Sequence, residues 1–122
     1  MKLVVVAAAL LLPAPVMAET LDVIESRLKD GCTASTYLAI TKDFNALWGK
    51  SNGYNARIAM PVHSKSSASI IWMGTTASAE IFGKAWDTWR NALSDPNSVP
   101  AKLQARFDAC STQISRSSYD VY

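Results

Sequence analysis

The chain has 122 residues, a formal net charge of +2 and an apolar fraction of 49%. A near-neutral charge without a cluster of Lys and Arg argues against nucleic acid or another polyanion as partner, because binding to phosphates depends on many cationic side chains. The length fits one domain with a single hydrophobic core.

Residues 1–18 have the pattern of a secretory signal peptide. One positive charge at Lys2 precedes an apolar run at 3–12, and Val16, Met17 and Ala18 form an A-x-A-like cleavage site. The run is too short to cross a bilayer as a permanent helix. We expect cleavage before Glu19, a single mature domain at 19–122 without a membrane segment, and a periplasmic or secreted location.

The two cysteines, Cys32 and Cys110, both lie in the mature part. Export to an oxidising compartment favours a structural disulfide between them, worth about 4 kcal/mol on the chain-entropy model. The alternatives are a redox pair and a metal site. The chain has no C-x-x-C motif, and two cysteines with one distant histidine fall short of a zinc shell, so we expect no metal.

The first half of the mature chain predicts a strand, a helix and a second strand. Loose alternation indicates a strand at 21–28, and Thr33 or Ser35 can cap a helix whose apolar residues recur at three- and four-residue steps up to Trp48. Two glycines at 49–53 end that helix. Clear alternation at 54–63 then indicates a strand with one buried face.

The second half predicts a strand, two helices and a last strand. The consecutive apolar residues within 68–74 are typical of a strand covered on both faces. A helix at 78–93 follows, and a third begins at the cap Ser98 with a stripe that includes Cys110 and Ile114. Weak alternation at 117–122 indicates a short final strand.

The order strand, helix, strand, strand, two helices, strand is that of the split β-α-β unit. The sequence therefore predicts an α+β, ferredoxin-like fold with a four-stranded antiparallel sheet and helices on one face. In this topology the end of the first strand lies beside the start of the last. Cys32 comes just after the end of the first strand, and Cys110 lies on the helix that leads into the last strand. The topology therefore places the two cysteines close together, as the predicted disulfide requires.

Four stretches resemble the dimeric α-β barrel superfamily. They are VIESRLKDG at 23–31, FNAL at 44–47, GYNAR at 53–57 and IIWMG at 70–74, with Ala79-Glu80 in the next helix. In that superfamily a K-x-G turn ends the first strand, G-Y/F-x-x-R opens the second, and an aromatic residue lies in the third. The resemblance implies a homodimer whose two sheets face each other around a shared cavity, with the helices outside.

The resemblance also bears on chemistry. Haem-degrading relatives use an Asn on the first strand and a His on the second helix, and this chain has neither. Quinone-forming relatives that need no cofactor use Asn, Trp, Tyr and Arg around the cavity, and Asn55, Arg57, Trp72 and Tyr54 supply these types. The chain carries no Gly-rich phosphate loop, G-x-S-x-G or H-E-x-x-H motif, and we expect no cofactor.

Four residues are the candidates for ligand binding: Asn55, Arg57, His63 and Trp72. The lone His63 can exchange a proton near neutral pH, but a solvated position at a strand end before a serine loop is the better explanation. Arg57 can bind a carboxylate or form a salt bridge. Trp72 can line a cavity or pack in the core.

Two functions are consistent with these residues. The first, which we favour, is a non-catalytic exported homodimer that binds a small apolar or aromatic ligand in its cavity. The second is a cofactor-independent monooxygenase-like enzyme that uses Arg57, Trp72 and His63 around that cavity. The enzyme hypothesis depends on analogy of fold, and the chain shows no cluster of acid, base and nucleophile.

Overall fold

A computed structural model describes residues 17–122. All but the last two residues of the predicted signal peptide lie outside that range. The described elements are β1 (Glu19–Leu28), α1 (Ala34–Phe44), a π-helical turn (Asn45–Gly49), a 3-10 turn (Lys50–Asn52), β2 (Asn55–Ala59), β3 (Ile70–Thr76), α2 (Ala79–Ala92), α3 (Val99–Cys110) and β4 (Ser111–Val121).

The four strands form one antiparallel sheet in the order β2-β3-β1-β4. The two strands that begin and end the fold are neighbours, and Leu28 at the end of β1 lies opposite Ser111 at the start of β4. The predicted α+β, ferredoxin-like fold with a four-stranded antiparallel sheet is confirmed.

Alternation along the strands divides the sheet into a face covered by the helices and an open face. On β3 the residues Ile70, Trp72, Gly74 and Thr76 are buried, and the intervening side chains are half-buried. The prediction of a strand covered on both faces is thus only partly met, since one face is fully covered. The core lies between the covered face and the helices.

Hydroxyl side chains cap all three helices. Thr33, Ser78 and Ser98 each accept a hydrogen bond from the backbone N–H three residues on, which satisfies one of the free donors at the helix start. Pro100 lies in the first turn of α3, where its missing N–H has no consequence. The caps explain why these helices begin where the sequence predicts.

The segment after α1 forms hydrogen bonds with edge strand β2 of the sheet. The Asn45 side chain donates to the Ala56 carbonyl at 2.8 Å and accepts from the Ala56 N–H at 2.8 Å, as a neighbouring strand would. Gly53 then takes a left-handed conformation with φ of +65°, which turns the chain into β2. Trp48, in the π-helical turn before Gly53, is buried in the core.

A disulfide joins Cys32 and Cys110, as predicted, with 5.2 Å between the Cα atoms. Cys110 is buried in the core, and the carbonyl oxygen of the same residue accepts a hydrogen bond from the Lys29 N–H at 2.9 Å. The bridge ties the end of α3 to the turn after β1 and so fixes one end of the helical layer against the sheet.

Two predicted boundaries are wrong. The last strand begins at Ser111 rather than at 117, so Ile114 belongs to β4 and not to the stripe of α3. Pairing with β1 extends β4, and this pairing leaves no trace in local alternation. The second strand ends at Ala59, before Pro61, and His63 therefore lies in the loop that leads to β3.

Candidate functional site

A cavity of about 200 Å³ lies between the covered face of the sheet and the helices. Nine aromatic side chains line it, and they include all four tryptophans of the chain: Tyr37, Phe44, Trp48, Tyr54, Trp72, Phe82, Trp86, Trp89 and Phe107. Phe44 lies at the centre of this cluster, with its ring centroid 4.8 Å from that of Trp72 in an edge-to-face arrangement. The cavity wall is thus largely aromatic.

One side of the cavity is polar and open. Gln104 and Asp108 on α3 and Gln113 and Arg116 on β4 line it, and all four are at least partly exposed. The opposite wall, formed by Phe44, Tyr54 and Trp72, is buried. A ligand would therefore enter between α3 and β4 and meet apolar rings at the far end.

A buried network of hydrogen bonds borders the cavity. Asp22 on β1 is completely buried and accepts two hydrogen bonds from Arg116, from Nε to Oδ1 at 2.9 Å and from Nη2 to Oδ2 at 2.7 Å. Tyr54 donates its hydroxyl to Asp22 Oδ2 at 2.7 Å. The Trp72 indole N–H donates to the Tyr54 hydroxyl oxygen at 2.7 Å. These bonds offset the cost of burying the charge of Asp22.

Tyr54 is held as a neutral phenol. Burial raises the pKa of Tyr54 far above its ordinary value, and the negative charge of Asp22 raises it further. The hydroxyl fits only because Gly74 lies opposite it on β3: a Cβ at position 74 would be 1.7 Å from the Tyr54 oxygen. Gly74 is therefore part of the site although it has no side chain.

Arg116 also contacts the aromatic wall. Its guanidinium carbon lies 4.0 Å from the centroid of the Trp86 ring on α2, within cation–π distance. The arginine side chain is 25% exposed, which places it at the boundary between the buried network and solvent. Arg116 thus connects β4 to α2 across the open side of the cavity.

The structure does not bring the four predicted ligand-binding residues together. Trp72 lies in the cavity wall and is 6% exposed. Asn55 and Arg57 alternate with the buried Ala56 on β2, so they lie on the open face and are exposed. His63 is exposed in the loop between β2 and β3. The cavity also lies within one copy of the chain, whereas the resemblance places it between the sheets of two copies.

The sequence analysis missed Asp22 and Arg116. Asp22 and Ile24 are two residues apart on β1, so their side chains lie on the same face of the strand. A single carboxylate on a strand face that carries apolar residues is a signal of a buried ion pair. The apolar side chains Leu21 and Val23 obscured that signal, because they indicate the opposite face as the buried one. Arg116 was missed because the final strand was predicted to begin after it.

Within residues 17–122 no group of three or more potential metal ligands comes together. Over the same residues no helix has both the length and the apolar character needed to cross a bilayer.

No protein-family model matches the chain, and no curated protein matches it. The structure is similar to that of SnoaB, a cofactor-independent oxygenase from Streptomyces nogalater, with a TM-score of 0.55 and 13% identity over 86% of this chain and 94% of SnoaB. It also resembles a candidate chlorite dismutase, with a TM-score of 0.49 and 12% identity over 84% of this chain and 43% of that one.

A third similar structure is a dimeric protein of unknown function with a ferredoxin-like fold from Bacteroides fragilis. Its TM-score is 0.46, with 10% identity over 84% of this chain and 95% of that one. At such identities the likeness shows the fold and no activity. The resemblance to the dimeric α-β barrel superfamily is confirmed at the level of the fold.

Proposed function

We propose that this protein is an exported homodimer that binds a small, neutral aromatic molecule in the cavity between its sheet and its helices. The observation that carries the proposal is the wall of nine aromatic side chains around a cavity of about 200 Å³ that has polar residues at its open side. Ligand pockets are commonly apolar clefts with a few polar groups that fix orientation, and this cavity has that composition.

Cavity volume limits the size of the ligand. About 200 Å³ is more than the roughly 150 Å³ of an engineered apolar cavity that takes up benzene, and less than the ~300–1,000 Å³ of sites for drug-sized molecules. A molecule of one or two fused rings fits this range. Edge-to-face contacts with the surrounding rings favour a planar aromatic ligand over an aliphatic one of equal size.

The charges around the cavity favour a neutral ligand. Asp22 and Arg116 neutralise each other through two hydrogen bonds, and Asp108 at the open side adds a further negative charge. An anionic ligand would approach the Asp108 carboxylate, which accepts a hydrogen bond from Gln104 but forms no salt bridge within residues 17–122, and the ligand would lose its hydration. A neutral ring with a hydroxyl group can keep that group near Gln113 at the open side, whereas the Gln104 amide is already hydrogen-bonded to Trp89 and Asp108.

Bonding within the network favours binding over catalysis. Tyr54 is protonated at ordinary pH because its pKa is raised, so it is not a base. Both oxygens of Asp22 accept hydrogen bonds from Arg116, and Oδ2 also accepts one from Tyr54, so the carboxylate is already engaged by groups of the protein itself. We therefore propose a non-catalytic role, with the cofactor-independent oxygenase activity that SnoaB's name describes as the alternative.

Export is supported by the signal pattern and by the disulfide, since disulfides persist in oxidising compartments. Cleavage before Glu19 would leave β1 complete in the mature chain, because that strand begins at Glu19. The homodimer follows from the resemblance of the sequence. Expression of the full precursor, followed by N-terminal sequencing of the exported product, is expected to give Glu19 as the first residue.

Tryptophan fluorescence provides the direct test of binding, because all four tryptophans line the cavity. Titration with 2-naphthol should quench the emission in a saturable manner. The variant Ala85→Leu adds a larger side chain to a buried position in the cavity wall and is expected to weaken binding at least tenfold. Ala79→Leu is the matched control, since Ala79 is exposed on the same helix and does not line the cavity.

Absence of saturable quenching in the folded protein would contradict the proposal, as would equal affinities for the two variants. The enzyme alternative is tested in the same samples by mass spectrometry of 2-naphthol after incubation in air. An oxygenated product that depends on the protein and is lost in Ala85→Leu would replace binding with catalysis.

A further inference from the structure

The covered face of β1 carries two polar residues that border the cavity. Asp22 and Ser26 are both buried and both line it, with Ile24 between them on the same face. Four residues of an extended strand span about 13 Å at ~3.3 Å per residue, so one small polar group of a ligand cannot bond to both. The two residues are therefore separate places at which a ligand can be recognised.

Of these two residues, Ser26 is the one without a partner. Both oxygens of Asp22 accept hydrogen bonds from Arg116, and Oδ2 accepts a further one from Tyr54. The Ser26 hydroxyl makes no hydrogen bond to any of the described residues, although Ser26 is only 3% exposed. The Thr20 hydroxyl on the same face also lacks a partner, but it is sealed within the fold and Thr20 does not line the cavity. Ser26 thus presents a buried, unpartnered hydroxyl to the cavity.

Pairing between β1 and β4 sets Gln113 beside Ser26. The two residues lie directly opposite each other in the antiparallel register, at a Cα separation of about 4.5–5.5 Å, and Gln113 also lines the cavity. On its other side Ser26 lies opposite Ile70, which is fully buried and has no polar side-chain atom. The Gln113 side chain makes no hydrogen bond within residues 17–122 and is exposed. A hydroxyl and an amide, each able to donate and to accept, therefore lie side by side in the cavity wall.

A bulge in β4 makes this arrangement possible. The register between β1 and β4 shifts between Glu25 and Ser26, which leaves Ile114 as the extra residue on β4. In a regular strand Gln113 and Arg116, three residues apart, would lie on opposite faces. The bulge instead places both against the cavity, so that Arg116 binds Asp22 while Gln113 lies beside Ser26.

Other polar side chains of the cavity are already bonded within the protein. The Ser111 hydroxyl donates to the Phe107 carbonyl oxygen at 3.2 Å. The Gln104 side chain accepts from the Trp89 indole N–H at 3.2 Å and donates to Asp108 at 2.9 Å. These internal bonds leave Ser26 and Gln113 free to bind a polar group of a ligand.

We propose that Ser26 and Gln113 form a subsite for one neutral hydroxyl group on the aromatic ligand, an inference that rests on the proposed function. The Ser26 hydroxyl donates to the ligand oxygen, and the ligand hydroxyl donates to the Gln113 amide oxygen. A ring without that group would cover the Ser26 hydroxyl and leave it without a partner, which is unfavourable. Ser26 is therefore the residue that selects a hydroxylated ring over the bare hydrocarbon.

A pair of ligands tests the subsite. 2-Naphthol and naphthalene have the same rings and differ by one hydroxyl group, and equilibrium dialysis measures the affinity of each. Ser26→Ala should weaken the binding of 2-naphthol about fivefold, as expected for the loss of one neutral hydrogen bond, and change that of naphthalene less than twofold. Thr20→Val is the matched control, because it removes an unpartnered hydroxyl from the same face of β1 at a residue that does not line the cavity. It should change neither affinity more than twofold.

Three results would overturn the inference alone: Ser26→Ala weakens both ligands equally, it weakens neither, or Thr20→Val has the same effect as Ser26→Ala. Circular dichroism checks that both variants remain folded. Ala85→Leu should weaken both ligands, since it acts by filling space, and so separates a change of cavity shape from the loss of a hydrogen bond. Failure of both ligands to bind the unmodified protein would overturn the proposed function, and the inference with it.

Discussion

On the face of the sheet that the helices cover, β1 presents Thr20, Asp22 and Ser26, whereas on the open face the same strand presents Leu21 and Val23. The usual arrangement is the reverse, with apolar residues beneath the helices. Of these polar residues, Asp22 is the one that joins the buried network, whereas the Thr20 hydroxyl has no hydrogen-bond partner among the described residues. Ile24 on the same face of β1 packs against the core, but most of the core residues belong to the helices, to the turn after α1, and to Tyr54, Ala56, Ile70 and Trp72.

The two faces also differ in what a substitution can change. The covered face holds groups with several fixed partners, such as Asp22 and Tyr54. The open face holds exposed groups such as Arg57, whose loss can be compensated by water. Substitutions on opposite faces of the same strand therefore provide matched tests of this contrast.

The largest effect is expected for Asp22→Asn. Removing the buried negative charge leaves Arg116 without its ion-pair partner, and breaking a buried pair costs about 3–5 kcal/mol. Glu25→Gln on the open face of β1 removes a half-buried carboxylate that accepts from Ser115, at a cost of about 1 kcal/mol. Urea unfolding measures both free energies, and equal losses would contradict the contrast between the faces.

The next effect is expected for Gly74→Ala on β3. The added Cβ would overlap the Tyr54 ring and hydroxyl, so the network must shift, at a cost of about 3 kcal/mol for overpacking. Gly83→Ala on α2 is the control, because a Cβ there meets nothing within 4 Å and alanine favours the helix by about 1 kcal/mol. The melting temperature should fall for Gly74→Ala and rise for Gly83→Ala.

The free energy of unfolding should be lower by about 1 kcal/mol at pH 11 than at pH 9, because of Tyr37 on the covered side of the sheet. Burial raises the pKa of Tyr37 from 10.0 to about 12, so the unfolded chain loses this proton first. The contribution to stability is complete below pH 10 and is lost as the pH rises from 10 to 12, because the folded state retains the proton longer. Urea unfolding at pH 9 and pH 11 should show a smaller fall for Tyr37→Phe than for the unmodified protein.

The smallest effects are expected on the open face of β2. Asn55→Ala and Arg57→Ala should each change the free energy of unfolding by about 0.5 kcal/mol or less, because both side chains are exposed. Their affinities for 2-naphthol should stay within twofold of the unmodified protein. A large loss of affinity in either variant would bring the open face into the binding site.

Local patterns predicted most of the fold. Capping hydroxyl residues and apolar periodicity located α1, α2 and α3. The clear alternation around β2 placed the side chains of Tyr54 and Ala56 on the buried side of the sheet. The order of these elements then determined the topology. The exception was β4, whose exposed serines, threonine and glutamine carry no periodic signal, because pairing with β1 stabilises it more than burial of its side chains does.

The site was less predictable than the fold. Trp72 was chosen because a strand with two apolar faces can present one of them to a cavity, and the structure places it in the wall of a cavity on the helical side of the sheet. Asn55 and Arg57 were chosen by residue type. Side chains alternate along β2, and these two lie on the open face, opposite to the buried Ala56. Asp22 and Arg116 are 94 residues apart, and no local pattern joins two residues at that separation.

The sequence by itself determined the pairing of Cys32 with Cys110 and the ferredoxin-like order of elements, since these follow from residue types and from the order of segments; export and a single domain at 19–122 stay predictions of the sequence. Only the tertiary structure decided that the cavity lies on the helical side of the sheet and that Asp22, Tyr54, Trp72 and Arg116 border it together. The reason is physical: side chains that alternate along a strand reveal that there are two faces, but the packing of distant elements selects which face is buried.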